Sequence, residues 1–366
     1  MASSKNIQAL DFTLPGKLGK PDLMLPFDPR LDQRIAAWLM KMNERYPAQM
    51  PSVTIDMNYD QAVEFIEYMH GLMTATNEEL HASMPAFEGL ASREYSIEGD
   101  SGHQIKLFLD EPKATHTPLP CIIHLHGGGM TFDTAESAAN IRWRKSLAEQ
   151  GLLVIGVEFR NEALSPGHHP FPSGLNDCVA AVRWTHDNRD KLGISSLVVI
   201  GESGGGNLAV ATGIKANKEG WVDVIDGIYA MAPMLFGFYG APPPELMSWR
   251  ENLDLMGSYA AVRAFRMVYD PSGAHQDNPL AYPFCATTDL LKGLPPHIFH
   301  NYELDLIRDE GVVFAQRLRA AGVAATSKII NGAHHVPELA MPDAVPEITR
   351  DTLASIAAFA KGLAAN

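Results

Sequence analysis

Leu197-Val198-Val199-Ile200-Gly201-Glu202-Ser203-Gly204-Gly205-Gly206-Asn207-Leu208 decides the fold. The first four residues are apolar and mostly β-branched, as in a strand buried on both faces. The glycines impose a tight turn, and Gly206-Asn207-Leu208 open a stretch with helical patterning. The whole is G-x-S-x-G in the strand–turn–helix context that an exposed nucleophile needs. Side chains two positions either side of Ser203 would clash in such a turn, so both positions are glycine. The turn exposes Ser203 Oγ beside a helix N-terminus, where developing negative charge is stabilised. The motif is short, so on pattern alone a glycine-rich loop that merely turns the chain or binds phosphate stays open.

Working outward, Cys121–Leu125 forms a second apolar run, and His126-Gly127-Gly128-Gly129 follows it directly. Glycines let backbone N–H groups converge on one point, as an oxyanion hole requires. The alternative is a turn without a role. The N–H of Gly204, next after the serine, supplies a further donor. Short apolar runs recur at Leu152–Phe159, Ile228–Ala232, His297–Asn301 and Ala325–Ile330. Helix-patterned stretches lie at Gly174–Leu192, Gly206–Asn217, Glu310–Ala321 and Glu347–Leu363. Arg93–Glu98 and Gln104–Leu109 suggest strands around a Gly-Asp-Ser-Gly turn. This alternation predicts an α/β fold, a mostly parallel sheet flanked by helices.

Two regions break the alternation. In the first, Asp28-Pro29 predicts a helix start, with Leu31, Ile35, Trp38, Leu39 and Met42 at helical spacing and Pro47 as the stop. A second helix is predicted from Asp60 to Met73, with Val63, Ile66, Met69 and Met73 on one face. The second region, 235–284, carries Pro242-Pro243-Pro244, several aromatics and no clear strand. It suggests an insertion over the C-terminal edge of the sheet, where open α/β folds bind ligands. The expected division is a helical cap segment over 1–90, a catalytic domain over 91–234 and 285–366, and an inserted cap segment over 235–284. Met24, Phe27, Met40, Phe132, Phe236, Phe238 and Met256 are candidates for an apolar pocket lining.

The 366 residues are 46% hydrophobic and 20% charged, with net charge −14. Such acidity, without a basic run, argues against nucleic acid as partner. Three cysteines, Cys121, Cys178 and Cys285, fit neither a disulfide framework nor a thiolate zinc site; all three are expected to be buried and reduced. The N-terminal stretch lacks an apolar signal region, and no window of the sequence is apolar enough to span a bilayer. A cytoplasmic protein without membrane insertion is therefore expected. His124 and His126 form an H-x-H without further clustered ligands, and no nucleotide or zinc motif occurs. No metal and no cofactor are expected.

The HGGG and GESGG motifs together resemble the hormone-sensitive-lipase family of α/β-hydrolase esterases, in its bacterial-type branch. The resemblance runs from about Arg93 onward. It extends to Phe159-Arg160-Asn161, to the stretch from Gly167 to Gly174 (Gly-His-His-Pro-Phe-Pro-Ser-Gly), and to Glu303-Leu304-Asp305-Leu306-Ile307-Arg308-Asp309-Glu310. It implies the α/β-hydrolase fold with a helical cap and a catalytic order of serine, acid, histidine. Asp305 matches the acid, although Leu306 stands where many relatives have proline. Asp309 and Glu310 are the other acids, expected to open the next helix. In Gly332-Ala333-His334-His335 the family spacing selects His335, with His334 as the alternative and Val336 where glycine is usual. The resemblance also selects the N–H groups of Gly128 and Gly129, with Gly204, for the oxyanion hole. It implies hydrolysis of a small-molecule ester. Amide, lactone or carbamate hydrolysis uses the same machinery. A non-catalytic receptor on this fold would typically lack the histidine. Family members are often homodimers, although no stretch of this sequence shows an interface.

Overall fold

The computed structural model describes residues 16–45, 53–114, 118–162, 169–255 and 257–364. Eight strands form one sheet: β1 (Leu90–Glu98), β2 (Gln104–Pro112), β3 (Leu119–Leu125), β4 (Leu153–Val157), β5 (Ile194–Glu202), β6 (Gly227–Met231), β7 (His297–Tyr302) and β8 (Ala325–Ile330). Their order is β1-β2-β4-β3-β5-β6-β7-β8. The β1–β2 and β2–β4 pairs are antiparallel, and the rest are parallel. The apolar runs of the sequence are the centres of these strands.

The central parallel strands β3 to β6 are mostly apolar because both faces are covered, whereas the edge strand β8 carries Thr326, Ser327 and Lys328 and is only partly buried. Alternation along β5 shows it: Leu197 and Val199 enter one core cluster, Val198 and Ile200 the other. Helices α1 (Gln33–Arg45), α2 (Tyr59–Ala82), α3 (Ala138–Ala148), α4 (Ser173–Asp187), α5 (Gly204–Glu219), α6 (Tyr259–Tyr269), α7 (Arg308–Ala320) and α8 (Pro346–Ala364) surround the sheet. Leu175 of α4, Leu208 of α5 and Phe314 of α7 fill one face, and Trp143 of α3 and Ile356 of α8 the other. The chain reverses its direction of travel across the sheet between β3 and β5, and Leu125 pairs with Gly201 there. Such a switch point opens a crevice at the strand C-termini, so both glycine motifs end side by side.

The region before β1 departs from expectation at its start. Asp28 does not cap the first helix. It follows a 3-10 turn, Leu25–Phe27, and its carboxylate accepts hydrogen bonds from the Arg30 backbone N–H and guanidinium. Asp32 begins α1 instead, its carboxylate accepting from the Arg34 N–H at 2.8 Å. Helix α2 opens with an Asn58–Gln61 capping box and runs nine residues past the predicted Met73 end, to Ala82. In 235–284 the described residues hold no strand but do include a helix, α6, capped by the Ser258 side chain. Helices α2 and α6 pack on each other through Phe65 and Phe265, whose ring centroids lie 6.0 Å apart, and Phe132 joins the same apolar cluster. Cys121 and Cys178 are buried, but Cys285 is exposed in the turn Pro283–Cys285, which corrects the expectation for that residue. No described helix is long and apolar enough to cross a membrane.

Candidate active site

Ser203 sits between β5 and α5 with φ 56° and ψ −117°. A non-glycine residue there is strained, and its surroundings must hold it. They do: Ser203 N–H donates to the Met231 carbonyl at 2.9 Å, and its own carbonyl accepts from Asn207 and Met234 at 3.1 Å. The flanking glycine is required by space, since a Cβ on Gly205 would run into the Leu125 carbonyl.

The loop after β3 is fixed by Glu202. Its Oε1 accepts the Gly127 N–H at 2.7 Å, and its Oε2 accepts from His124 Nε2 at 3.0 Å. The Gly127 N–H is thereby consumed. Among the described residues the Gly128, Gly129 and Gly204 N–H groups have no protein acceptor. Gly204 opens α5, where the first N–H groups have no intrahelical partner, and its backbone packs against Gly129 and Met130. Gly128 has φ +87°, and a Cβ there would strike the Phe132 carbonyl. His126 is buried and stacks on Phe159 with ring centroids 4.1 Å apart; burial pushes its pKa down. These contacts occupy both histidines of the H-x-H.

The candidate acid and base, Asp305 and His335, follow β7 and β8. His335 Nδ1 donates to Asp305 Oδ2 at 2.6 Å. Asp305 Oδ1 accepts the Ile307 N–H at 3.1 Å. Burial works against a charged His335, but the Asp305 charge and hydrogen bond outweigh it, so the imidazole pKa lies above its ordinary value. His334 does not meet the acid. It is buried, donates from Nδ1 to the His335 carbonyl at 3.1 Å, and is pushed down to about 4 by burial. Asn252, missed in the sequence, holds the acid turn by donating to the Glu303 and Asp305 carbonyls, both at 2.9 Å. Asp309 and Glu310 lie in the first turn of α7 as expected, but they face the inserted segment rather than serving the helix alone. Asp309 accepts the Ser248 N–H at 2.7 Å, and Glu310 accepts those of Leu235 and Phe236 at 2.6 and 2.8 Å. Val336 has φ 46°, the left-handed conformation that explains why glycine suits this position.

Ser203, Asp305 and His335 line one cavity of about 360 Å³ with Gly128, Gly129 and Glu202. Among the described residues Ser203 Oγ makes no hydrogen bond, so serine and histidine share the cavity without a closed contact. The apolar walls include Met69, Met73 and Leu80 from α2, Val262 and Phe265 from α6, and Phe132. Of the lining candidates from sequence that lie among the described residues, only Phe132 is present. Met24, Phe27 and Met40 are exposed, Phe236 and Phe238 pack on each other, and Met256 lies outside the described residues, as do Gly167 and His168. The signal for Met69 and Met73 was in hand: they share the helical face of Val63 and Ile66. Among the described residues a single cluster has metal-ligand spacing, Asp100, His103 and Asp177. The Arg160 guanidinium already pairs with both carboxylates, at 3.1 and 2.8 Å.

A family model described as the alpha/beta hydrolase fold matches residues 122–338. The structure of brefeldin A esterase, described as a bacterial homologue of human hormone sensitive lipase, is 34% identical with a TM-score of 0.89, covering 96% of this chain and 99% of that one. The structure of esterase Est22 with p-nitrophenol is 34% identical with a TM-score of 0.80, covering 92% and 99%. Carboxylesterase NlhH of Mycobacterium tuberculosis is 29% identical over 221 residues; the match spans 58% of this chain and 65% of that enzyme's length. The serine turn, the glycine loop and the sheet order thus coincide with a family match across most of the sheet: the chain belongs to the α/β-hydrolase family, on its hormone-sensitive-lipase-like branch.

Proposed function

We propose that this protein is a serine carboxylesterase acting on small to medium carboxylic esters. The observation that carries the reading is the Asp305–His335 hydrogen bond opening into the same apolar cavity as Ser203. With Nδ1–H held by Asp305, His335 keeps the lone pair of Nε2 free to take the Ser203 proton. Ser203 Oγ attacks the ester carbonyl, and the N–H groups of Gly128, Gly129 and Gly204 receive the oxyanion. The imidazolium, stabilised by Asp305, returns its proton to the departing alcohol, leaving an acyl-enzyme. Water, deprotonated by His335, then releases the acid and restores Ser203.

A cavity of about 360 Å³ stands near the small end of ligand pockets, roughly 300–1,000 Å³. This supports a compact, apolar ester. Helices α2 and α6 supply much of the wall, so the segment before β1 and the 235–284 insertion act together as the cap. The retained and paired His335 weighs against a receptor role.

Hydrolysis of p-nitrophenyl esters from acetate to palmitate tests this, with Ser203→Ala beside the wild type. Short and medium chains should be cleaved by the wild type alone. Persisting activity in Ser203→Ala, or a preference for palmitate, contradicts the reading. Matched amides and lactones in the same panel test the choice of bond.

A further inference from the structure

The loops carrying Asp305 and His335 are joined by more than their direct contact. Glu303 Oε2 accepts the Gly332 N–H at 2.8 Å, and the Leu304 N–H donates to the Ala333 carbonyl at 3.0 Å. A third link lies deeper. Tyr302, the last residue of β7, donates its hydroxyl to Glu338 Oε1 at 2.6 Å. Tyr302 is three residues before the acid, and Glu338 three after the histidine. Both side chains are buried.

Burying a carboxyl is costly unless something needs it there. Thr352 of α8 also donates to Glu338 Oε1, at 3.1 Å, while Oε2 has no partner among the described residues. Titratable neighbours face it from several elements. His300 of β7 lies 3.9 Å away, and burial holds it neutral by pushing its pKa down to about 3. Lys328 of β8 favours the carboxylate, and Tyr229 of β6 feels its charge. A second cavity of about 260 Å³ reaches Glu338 past Arg142, Asp343 and Arg350. Burial raises the Glu338 carboxyl to about 7, against the opposing bonds from Tyr302 and Thr352.

We propose that Glu338 is a positioning residue: through Tyr302 it fixes the spacing of the Asp305 and His335 loops. The proposal rests on the Ser203–His335–Asp305 reading above.

The test compares Tyr302→Phe, Glu338→Gln, Glu338→Ala and Thr352→Val on p-nitrophenyl butyrate, reading kcat and KM. Tyr302→Phe and Glu338→Ala should lower kcat about ten-fold with KM changed less than about two-fold, because alignment is lost but the cavity is not. Glu338→Gln should keep most of kcat, since its amide oxygen still accepts from Tyr302. Thr352→Val should leave kcat unchanged, since α8 carries neither loop. If Glu338→Ala does not fold, Tyr302→Phe and Glu338→Gln carry the result. Wild-type kcat in folded Tyr302→Phe, a loss in Glu338→Gln equal to that in Tyr302→Phe, or equal losses in Tyr302→Phe and Thr352→Val would each overturn the proposal. Ser203→Ala and His335→Ala run alongside. Activity in either sinks the underlying mechanism, whereas two dead controls beside an unaffected Tyr302→Phe sink this inference alone.

Discussion

Val336 places a β-branched side chain at φ 46°, a conformation costing L-residues about 1–2 kcal/mol. It is nonetheless buried in the core. Val336→Ala loses two methyl groups, about 1.5 kcal/mol, and keeps the strain. Val336→Gly loses a little more burial but relieves the strain. Glycine should therefore equal or exceed alanine in stability here, reversing their usual order. Urea midpoints decide it; glycine about 1 kcal/mol below alanine would refute the strain argument. Beside it, His335 has its pKa raised by Asp305 against the effect of burial. In the proposed mechanism its neutral form is the base, so activity should be lost as pH falls through that raised value. In Asp305→Asn the carboxylate is gone and the largest influence opposing burial goes with it. The acid limb of kcat/KM should shift to lower pH while kcat drops roughly 10³- to 10⁴-fold, as for other triads. An unmoved limb would show that Asp305 does not set the His335 pKa. Gly128→Ala tests the oxyanion loop: its Cβ would strike the Phe132 carbonyl. A kcat loss of about 10²-fold or more is expected, the cost of a misplaced oxyanion donor, and unchanged kcat would remove Gly128 from the machinery.

Between elements, Glu310 of α7 is the anchor of the inserted segment. It accepts the N–H groups of Leu235 and Phe236, and the Trp249 indole at 3.4 Å. Burial holds its carboxyl well above the ordinary range, so Gln is its near match at neutral pH. Glu310→Ala would strand buried donors at about 1–3 kcal/mol each, so a loss of roughly 3 kcal/mol or more is expected. Glu310→Gln should cost about 1 kcal/mol or less. Equal losses in a denaturant titration would mean that the carboxyl fills space rather than anchors. Nothing in the sequence pointed to this anchor, because its partners lie 74 and 75 residues away and meet it only in three dimensions. The same holds for Asn252. What was legible was local: apolar runs marked the strands because helices cover both faces, and the two glycine motifs marked the loops at the switch point. The Asp28 error arose because a carboxylate that caps a helix can equally bond a nearby arginine. Helix α6 was legible in principle, with Ser258 as cap and Val262, Phe265 and Val268 three apart, but the prolines upstream hid it.

At the scale of the whole molecule, a net charge of −14 surrounds a cavity whose charged lining is acidic apart from His335. Glu202 and Asp305 contribute to that lining, with Asp133, whose carboxyl burial pushes toward its neutral form, and among the described residues no Lys or Arg does. Low-dielectric walls focus such a field, and it acts on a charged substrate before any contact forms. Ester bonds of equal reactivity should therefore be separated by the charge of the remote group. An anionic half-ester should show kcat/KM suppressed at low salt and rising roughly two- to five-fold as the Debye length shrinks from about 30 Å at 0.01 M to near 8 Å at 0.15 M. A cationic ester should fall over the same range, and a neutral ester should stay level and so control for salt effects on folding or chemistry. The effect belongs in kcat/KM, because encounter precedes ester cleavage, and kcat should move less. Three parallel salt profiles would show that the field at the cavity mouth is too weak to select substrates. A divergence ordered by substrate charge would make electrostatic exclusion part of this esterase's specificity, acting alongside the apolar walls from α2 and α6.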